Sequence, residues 1–199
     1  MVRERTPAAH IGRACCAAAV IVALNASANA QTKIAEWDFS ALTELAAPSR
    51  SYLNDKSGVK ANIAVDREIS TPDGKGALRI DVVAASQNEE GGDIQLIFVN
   101  EKGLQAKKKY RVILTMKANQ TMMMPVKIVT ILDGSPWSGV GNPDFQYATP
   151  TREWKTVKYT FTANADHSGK AVRVPCIFMG EYDAGTTLWI SRIQFFEVQ

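Results

Sequence analysis

The segment Asp133-Gly134-Ser135-Pro136-Trp137-Ser138-Gly139-Val140-Gly141-Asn142-Pro143-Asp144-Phe145-Gln146-Tyr147 sets an indole, a phenyl ring and a phenol in a stretch rich in glycine and proline, which offers little core to bury them. Flat rings left outside a core stack on apolar faces such as the C–H side of a pyranose, while planar polar side chains nearby would bond the equatorial hydroxyls. Trp137 and Tyr147 are the stacking candidates. Their alternative role is a hydrophobic lid on the end of the fold.

Polar candidates stand in strand-like surroundings. Gln95 alternates with Ile94 and Leu96, and Arg173 falls, with Met179, opposite an expected buried face of Val172, Val174, Cys176 and Phe178. A guanidinium can fork onto two adjacent hydroxyls and stack on an aromatic plane. The alternatives are a surface ion pair for Arg173 and a solvated strand position for Gln95. Glu181 and Tyr182, in the loop after Gly180, either rim a groove or belong to a solvated loop.

Cleavage of a glycosidic bond would need two carboxyl groups facing each other at about 5 to 10 Å. The acidic residues Glu89, Glu90, Asp133, Asp144, Glu153, Glu181 and Asp183 lie mainly in turns, where solvation is the default, though a pair such as Asp133 with Glu181 stays open. There is no nucleophile elbow, phosphate loop or dinucleotide fingerprint. A net charge of +3 over 199 residues is too weak to imply a nucleic-acid partner.

The N-terminal segment changes the inventory. Arg3, Arg5 and Arg13 precede an apolar run from Ala14 to Leu24, and Ala28-Asn29-Ala30 forms a small-x-small cleavage site, so residues 1–30 read as a secretory signal peptide. The apolar run is shorter than the roughly 20 residues that span a bilayer. Its removal predicts a secreted or periplasmic domain over 31–199, with no membrane association, 20 basic against 19 acidic residues, one cysteine (Cys176) and one histidine (His167). That leaves no Cys/His zinc set and no intramolecular disulfide. His167 reads as a hairpin-turn residue, Cys176 as a small core residue, and Met122, Met123 and Met124 as gap filling rather than a copper site.

Positioning these side chains falls to strands. Short alternating runs punctuated by turn chemistry recur, and no stretch of 31–199 sustains a helical period over a typical helix length. Strands are expected near Ile34–Phe39, Ala61–Val65, Ala77–Val83, Asp93–Val99, Lys109–Ala118, Pro125–Asp133, Trp154–Thr162, Lys170–Met179 and Thr187–Val198. Tyr110, Val112, Leu114 and Met116 mark the clearest buried face. Such half-buried strands imply an all-β fold, a two-sheet antiparallel β-sandwich of jelly-roll type. Between Ala41 and Lys60 the pattern fails; Leu42–Ala47 suggests a short helical turn and the rest loop.

Three stretches resemble carbohydrate-binding modules of families four, nine and twenty-two. They are Pro72-Asp73-Gly74-Lys75-Gly76-Ala77-Leu78-Arg79-Ile80; Leu104 to Val112 with Lys117-Ala118; and Thr151-Arg152-Glu153-Trp154-Lys155 through Tyr159-Thr160-Phe161-Thr162 to Gly180 and Thr187–Ile193. The resemblance implies a monomeric, non-catalytic domain that binds a polysaccharide or oligosaccharide in an aromatic-lined groove. It also implies a structural role for Trp154, while Trp37 in the first strand and Trp189 in the last are expected to pack structurally. Relatives hold a structural calcium near a "G-D-F-E" and an "I-D" motif; here Trp37-Asp38-Phe39-Ser40 and Ile190-Ser191 replace two carboxylates by serine, leaving Asp38 as the remaining candidate and no cofactor otherwise. The alternatives are a small jelly-roll glycoside hydrolase or polysaccharide lyase, and a structural or protein-interaction module of the cell envelope whose groove is filled by its own side chains.

Overall fold

Alternation of apolar and polar residues, broken every few residues by glycine, proline and aspartate, builds strands that each bury one side, and two sheets of them close over a shared interior. The computed structural model describes residues 31–88, 90–121 and 125–199. The expected signal peptide, Glu89 and the three consecutive methionines lie outside the described residues.

In chain order the strands are β1 (Gln31–Asp38), β2 (Arg50–Leu53), β3 (Lys60–Thr71), β4 (Gly74–Ala84), β5 (Ile94–Asn100), β6 (Lys109–Ala118), β7 (Val126–Leu132), β8 (Gly141–Asn142), β9 (Phe145–Ala148), β10 (Lys155–Ala163), β11 (Val172–Phe178) and β12 (Thr187–Val198). One sheet has the order β3-β4-β12-β6-β10-β8, with β1 taking over from β4 along the later part of β12; the other has the order β2-β5-β11-β7-β9. Every pairing is antiparallel. The expected two-sheet jelly-roll sandwich is the observed fold.

Between the sheets, β6 contributes Tyr110, Val112, Leu114, Met116 and Ala118, the alternation read from the sequence. Tyr110 stacks on Phe161 and on Phe195 at ring-centroid separations of 5.7 and 5.5 Å, tying β6 to β10 and β12 through their inner faces. Trp37 packs edge-on against Phe98, and the Trp189 indole donates to Asp66 Oδ2 at 3.1 Å, which gives both the structural roles expected of them. The Trp154 indole donates to the Ser70 carbonyl at 2.8 Å, joining the start of β10 to the end of β3.

The segment Ala41–Lys60 corrects the expectation made for it. Leu42–Ala47 forms no helix; Leu42 and Leu45 pack half-buried against the core from irregular backbone. Arg50–Leu53 then adds an edge strand, and a short 3-10 turn follows, capped when the Asn54 side chain accepts from the Lys56 N–H.

Candidate functional site

Along β5 the inner face carries Ile94, Leu96 and Phe98, and the outer face Gln95, Ile97 and Val99. Its neighbour β11, central in the sheet, holds Pro175, which cannot donate to a ladder and so belongs at a bulge. A bulge lies there: Arg173 pairs with Val99 and Cys176 with Ile97, so three steps on β11 match two on β5. The extra residue reverses which side chains face out.

The expected buried face of β11 is thereby corrected. Val172 and Val174 point into the core, but Cys176 and Phe178 turn to the outer face with Arg173, and Met179 joins the core. Burial still pushes the Cys176 thiol up, to about 12, against the lowering effect of the adjacent Arg173.

This outer face forms an open groove of about 800 Å³. Two lateral rows follow from the strand register. One runs Tyr52, Gln95, Phe178, Lys127, Tyr147; the other Arg50, Ile97, Cys176, Val129, Phe145. With strands about 4.8 Å apart, five abreast give a trough about 19 Å long. Of the five large hydrophobic side chains that are exposed among the described residues, four stand on this face: Tyr52 at 46%, Trp137 at 50%, Phe145 at 42% and Tyr147 at 50%. Tyr52 and the Phe145–Tyr147 pair, 5.4 Å apart edge to face, occupy opposite margins.

Trp137 reaches the groove from the loop between β7 and β8. Its N–H closes a turn onto the Gly134 carbonyl at 2.8 Å, and Leu132 N–H to the Ser138 carbonyl at 2.9 Å folds the loop back over the sheet. Trp137 has φ of 55°, a left-handed conformation that a bulky residue keeps only where surrounding contacts impose it. One such contact is evident: the Arg173 guanidinium lies 4.4 Å from the indole centroid.

Arg173 lines the groove as expected but is only 7% exposed, so it is not a surface ion pair. Its Nε donates to Asp133 Oδ1 at 2.9 Å and its Nη1 to Gln95 Oε1 at 2.8 Å. Asp133 also receives Arg50, with Nη2 to Oδ1 at 2.5 Å and Nη1 to Oδ2 at 3.2 Å. Burial pushes the Asp133 carboxyl up, but hydrogen bonds and charge from Arg50 and Arg173 outweigh it and hold the group below the ordinary carboxylate range. Gln95 lies on the groove face as expected, fixed further by its Nε2 donating to the Gly92 carbonyl at 2.8 Å.

Two rim candidates fall elsewhere. Tyr182 is 7% exposed and packs into the core, because the loop after Met179 turns inward. Glu181 is exposed beside Gly91 and does not line the groove, so it makes no pair with Asp133. His167 is buried in its turn, its Nε2 2.9 Å from Asn164 Oδ1. Asp38, the weak calcium candidate, is engaged by the protein's own groups: its carboxylate accepts from Ser40 N–H and Oγ and from Arg192 Nη2 at 2.9 Å. The Arg192 guanidinium already neutralises this carboxylate, and among the described residues no three His, Cys, Asp or Glu side chains converge as a ligand set. The residues do not fit a calcium ion there.

Tyr52, Phe145, Arg50, Lys127 and Phe178 complete the groove beyond the residues singled out from sequence. Pro175 within a run that reads as a central strand was the available signal for Phe178; the alternation of Arg50 and Tyr52 about Ser51 was a weaker one for β2.

No protein-family model matches the chain, and no curated protein matches it. Among solved structures it is similar to a CBM4 module, with TM-score 0.59 and 19% identity over 76% of this chain and 86% of that one. The chain has the fold of these modules. The CBM22-1 xylan-binding domain of Paenibacillus barcinonensis Xyn10C gives TM-score 0.53 and 15% identity over 87% of this chain and 99% of that one. A Stig cyclase from Fischerella sp. TAU, in complex with an indole compound, gives TM-score 0.57 and 10% identity over 84% and 98%. One fold thus serves a binding module and a cyclase, and function has to be argued from the groove.

Proposed function

We propose that the domain is exported and binds a polysaccharide or oligosaccharide along the groove of the five-stranded sheet without cleaving it. The observation that carries this reading is the gathering of three exposed aromatic side chains, Tyr52, Trp137 and Phe145, around one trough whose floor offers fixed polar groups, with Tyr147 edge to face against Phe145. With one face of its ring covered by Arg173 and half its surface exposed, Trp137 presents the other face to a ligand. Covering about 100 Å² of apolar surface at one ring is worth up to about 2.5 kcal/mol. Two or three such contacts, less ordering costs, correspond to micromolar to millimolar dissociation constants.

Binding is favoured over hydrolysis by the state of the carboxylates. Asp133 is engaged by two guanidiniums, and Asp144 is the one carboxylate among the described residues lining the groove. Export rests on residues 1–30 of the sequence; among the described residues no helix is long and apolar enough to cross a membrane. Affinity electrophoresis on a panel of soluble polysaccharides tests the reading. Trp137→Ala should lose the retardation that the unmodified protein shows, with a melting temperature lowered by only a few degrees. Retardation equal to that of the unmodified protein would exclude the indole as a contact.

A further inference from the structure

Lys127 stands in the row Tyr52, Gln95, Phe178, Lys127, Tyr147, with its ammonium 5.2 Å from the centroid of the Phe145 ring. No carboxylate among the described residues lies within ion-pair distance of it. The other charges of the groove are Arg50, Arg173 and Asp144 on its surface and Asp133 bridging the two arginines. Three cations against two carboxylates leave the site one positive charge. A neutral chain laid across Lys127 would strip water from the ammonium and return only hydroxyl contacts. An anionic substituent would replace that water with a charge-assisted hydrogen bond.

We propose that the ligand of the groove is an acidic polysaccharide, with its sugar faces on the aromatic margins and one carboxylate or sulfate on Lys127. This rests on the carbohydrate reading and narrows it. The source of the anion is distinguished by the probes: polygalacturonate carries carboxylates, dextran sulfate carries sulfates, and dextran and xylan serve as neutral chains.

The full chain is run in gels containing each polymer at low and high salt, beside Lys127→Met and Lys158→Met. Lys158 is an exposed cation on β10 of the opposite sheet and controls for overall charge. An acidic polymer should retard the unmodified protein most. That affinity should fall at least about tenfold in Lys127→Met and at high salt, and remain unchanged in Lys158→Met. Retardation by neutral polymers equal to or stronger than by acidic ones, lost in Trp137→Ala, would overturn the acidic ligand and leave carbohydrate binding standing. Equal losses in the two lysine variants, or none in Lys127→Met, would likewise overturn it. Retardation by no polymer would overturn both readings.

Discussion

Replacing Arg173 by Met removes the guanidinium while keeping an unbranched apolar stem, and so tests whether one side chain holds the groove floor and the indole together. Three contacts go at once: the 2.9 Å bond to Asp133, the 2.8 Å bond to Gln95 and the stack under Trp137. A hydrogen bond to a charged group is worth about 1.5 to 3 kcal/mol, and a sheltered cation–π contact about 1 to 2. Asp133 keeps Arg50, which limits the penalty of a half-buried carboxylate left short of a partner. The expected loss lies at the low end of these ranges taken together, about 4 kcal/mol, which for a domain of this size lowers the melting temperature by roughly 10 °C.

The share that belongs to the indole is isolated by a double-mutant cycle with Trp137→Ala, measured by denaturant unfolding. A coupling of about 1 to 2 kcal/mol is expected, because the alanine background no longer has a ring for the guanidinium to support. Native-state tryptophan fluorescence should shift in Arg173→Met as the Trp137 ring loses its backing. A coupling below about 0.5 kcal/mol would mean that the two groups are energetically independent, and the account of a supported platform would fall.

Asp133 gives a pH prediction with a definite sign. A carboxyl held below its ordinary value contributes stability that is complete above the unfolded value of about 3.9 and is lost as pH falls through the lower, folded value. The stability gap between the unmodified protein and Asp133→Asn should therefore be constant from about pH 5 to 7 and shrink below about pH 4, and a gap that persists to the acid limit of folding would refute the ion-pair account. Cys176, buried and with its thiol pushed up to about 12, should resist alkylation by iodoacetamide at pH 8 in the folded protein and react at once in denaturant. Labelling of the native protein at the rate of a free thiol would show that the groove floor opens.

The nine expected strands all occur, and two of them, Lys109–Ala118 and Thr187–Val198, have the bounds read from the sequence. Both are long, so period-two alternation had room to declare itself. The strands that escaped notice, β2, β8 and β9, have four, two and four residues, too few to show a period. Within Leu42–Ala47, the spacing of Leu42 and Leu45 imitates a helical turn, although tertiary packing draws both leucines onto the core from irregular backbone. The aromatic loop was legible for a local reason: Trp137 and Tyr147 lie among residues that build no core. Tyr52 on the far margin becomes visible only when β2 docks beside β5.

The floor of the groove was misread through a single count of residues. Alternation assigns Val172, Val174, Cys176 and Phe178 to one face, which puts Arg173 alone on the other. One extra residue at Pro175 leaves Val172 and Val174 inside and brings Cys176 and Phe178 out beside Arg173. The consequence is chemical as well as geometric. A small thiol on the outer face, in the same row as Ile97 and Val129, leaves the polar head of Arg173 close enough to the sheet to bond Gln95 on β5 and Asp133 beyond β7. There it lies 4.4 Å from the centroid of the Trp137 ring. The side chain assigned by pattern to sugar hydroxyls thus also backs the Trp137 ring while it lines the groove, and Lys127 on the neighbouring strand adds a further cation to the same face.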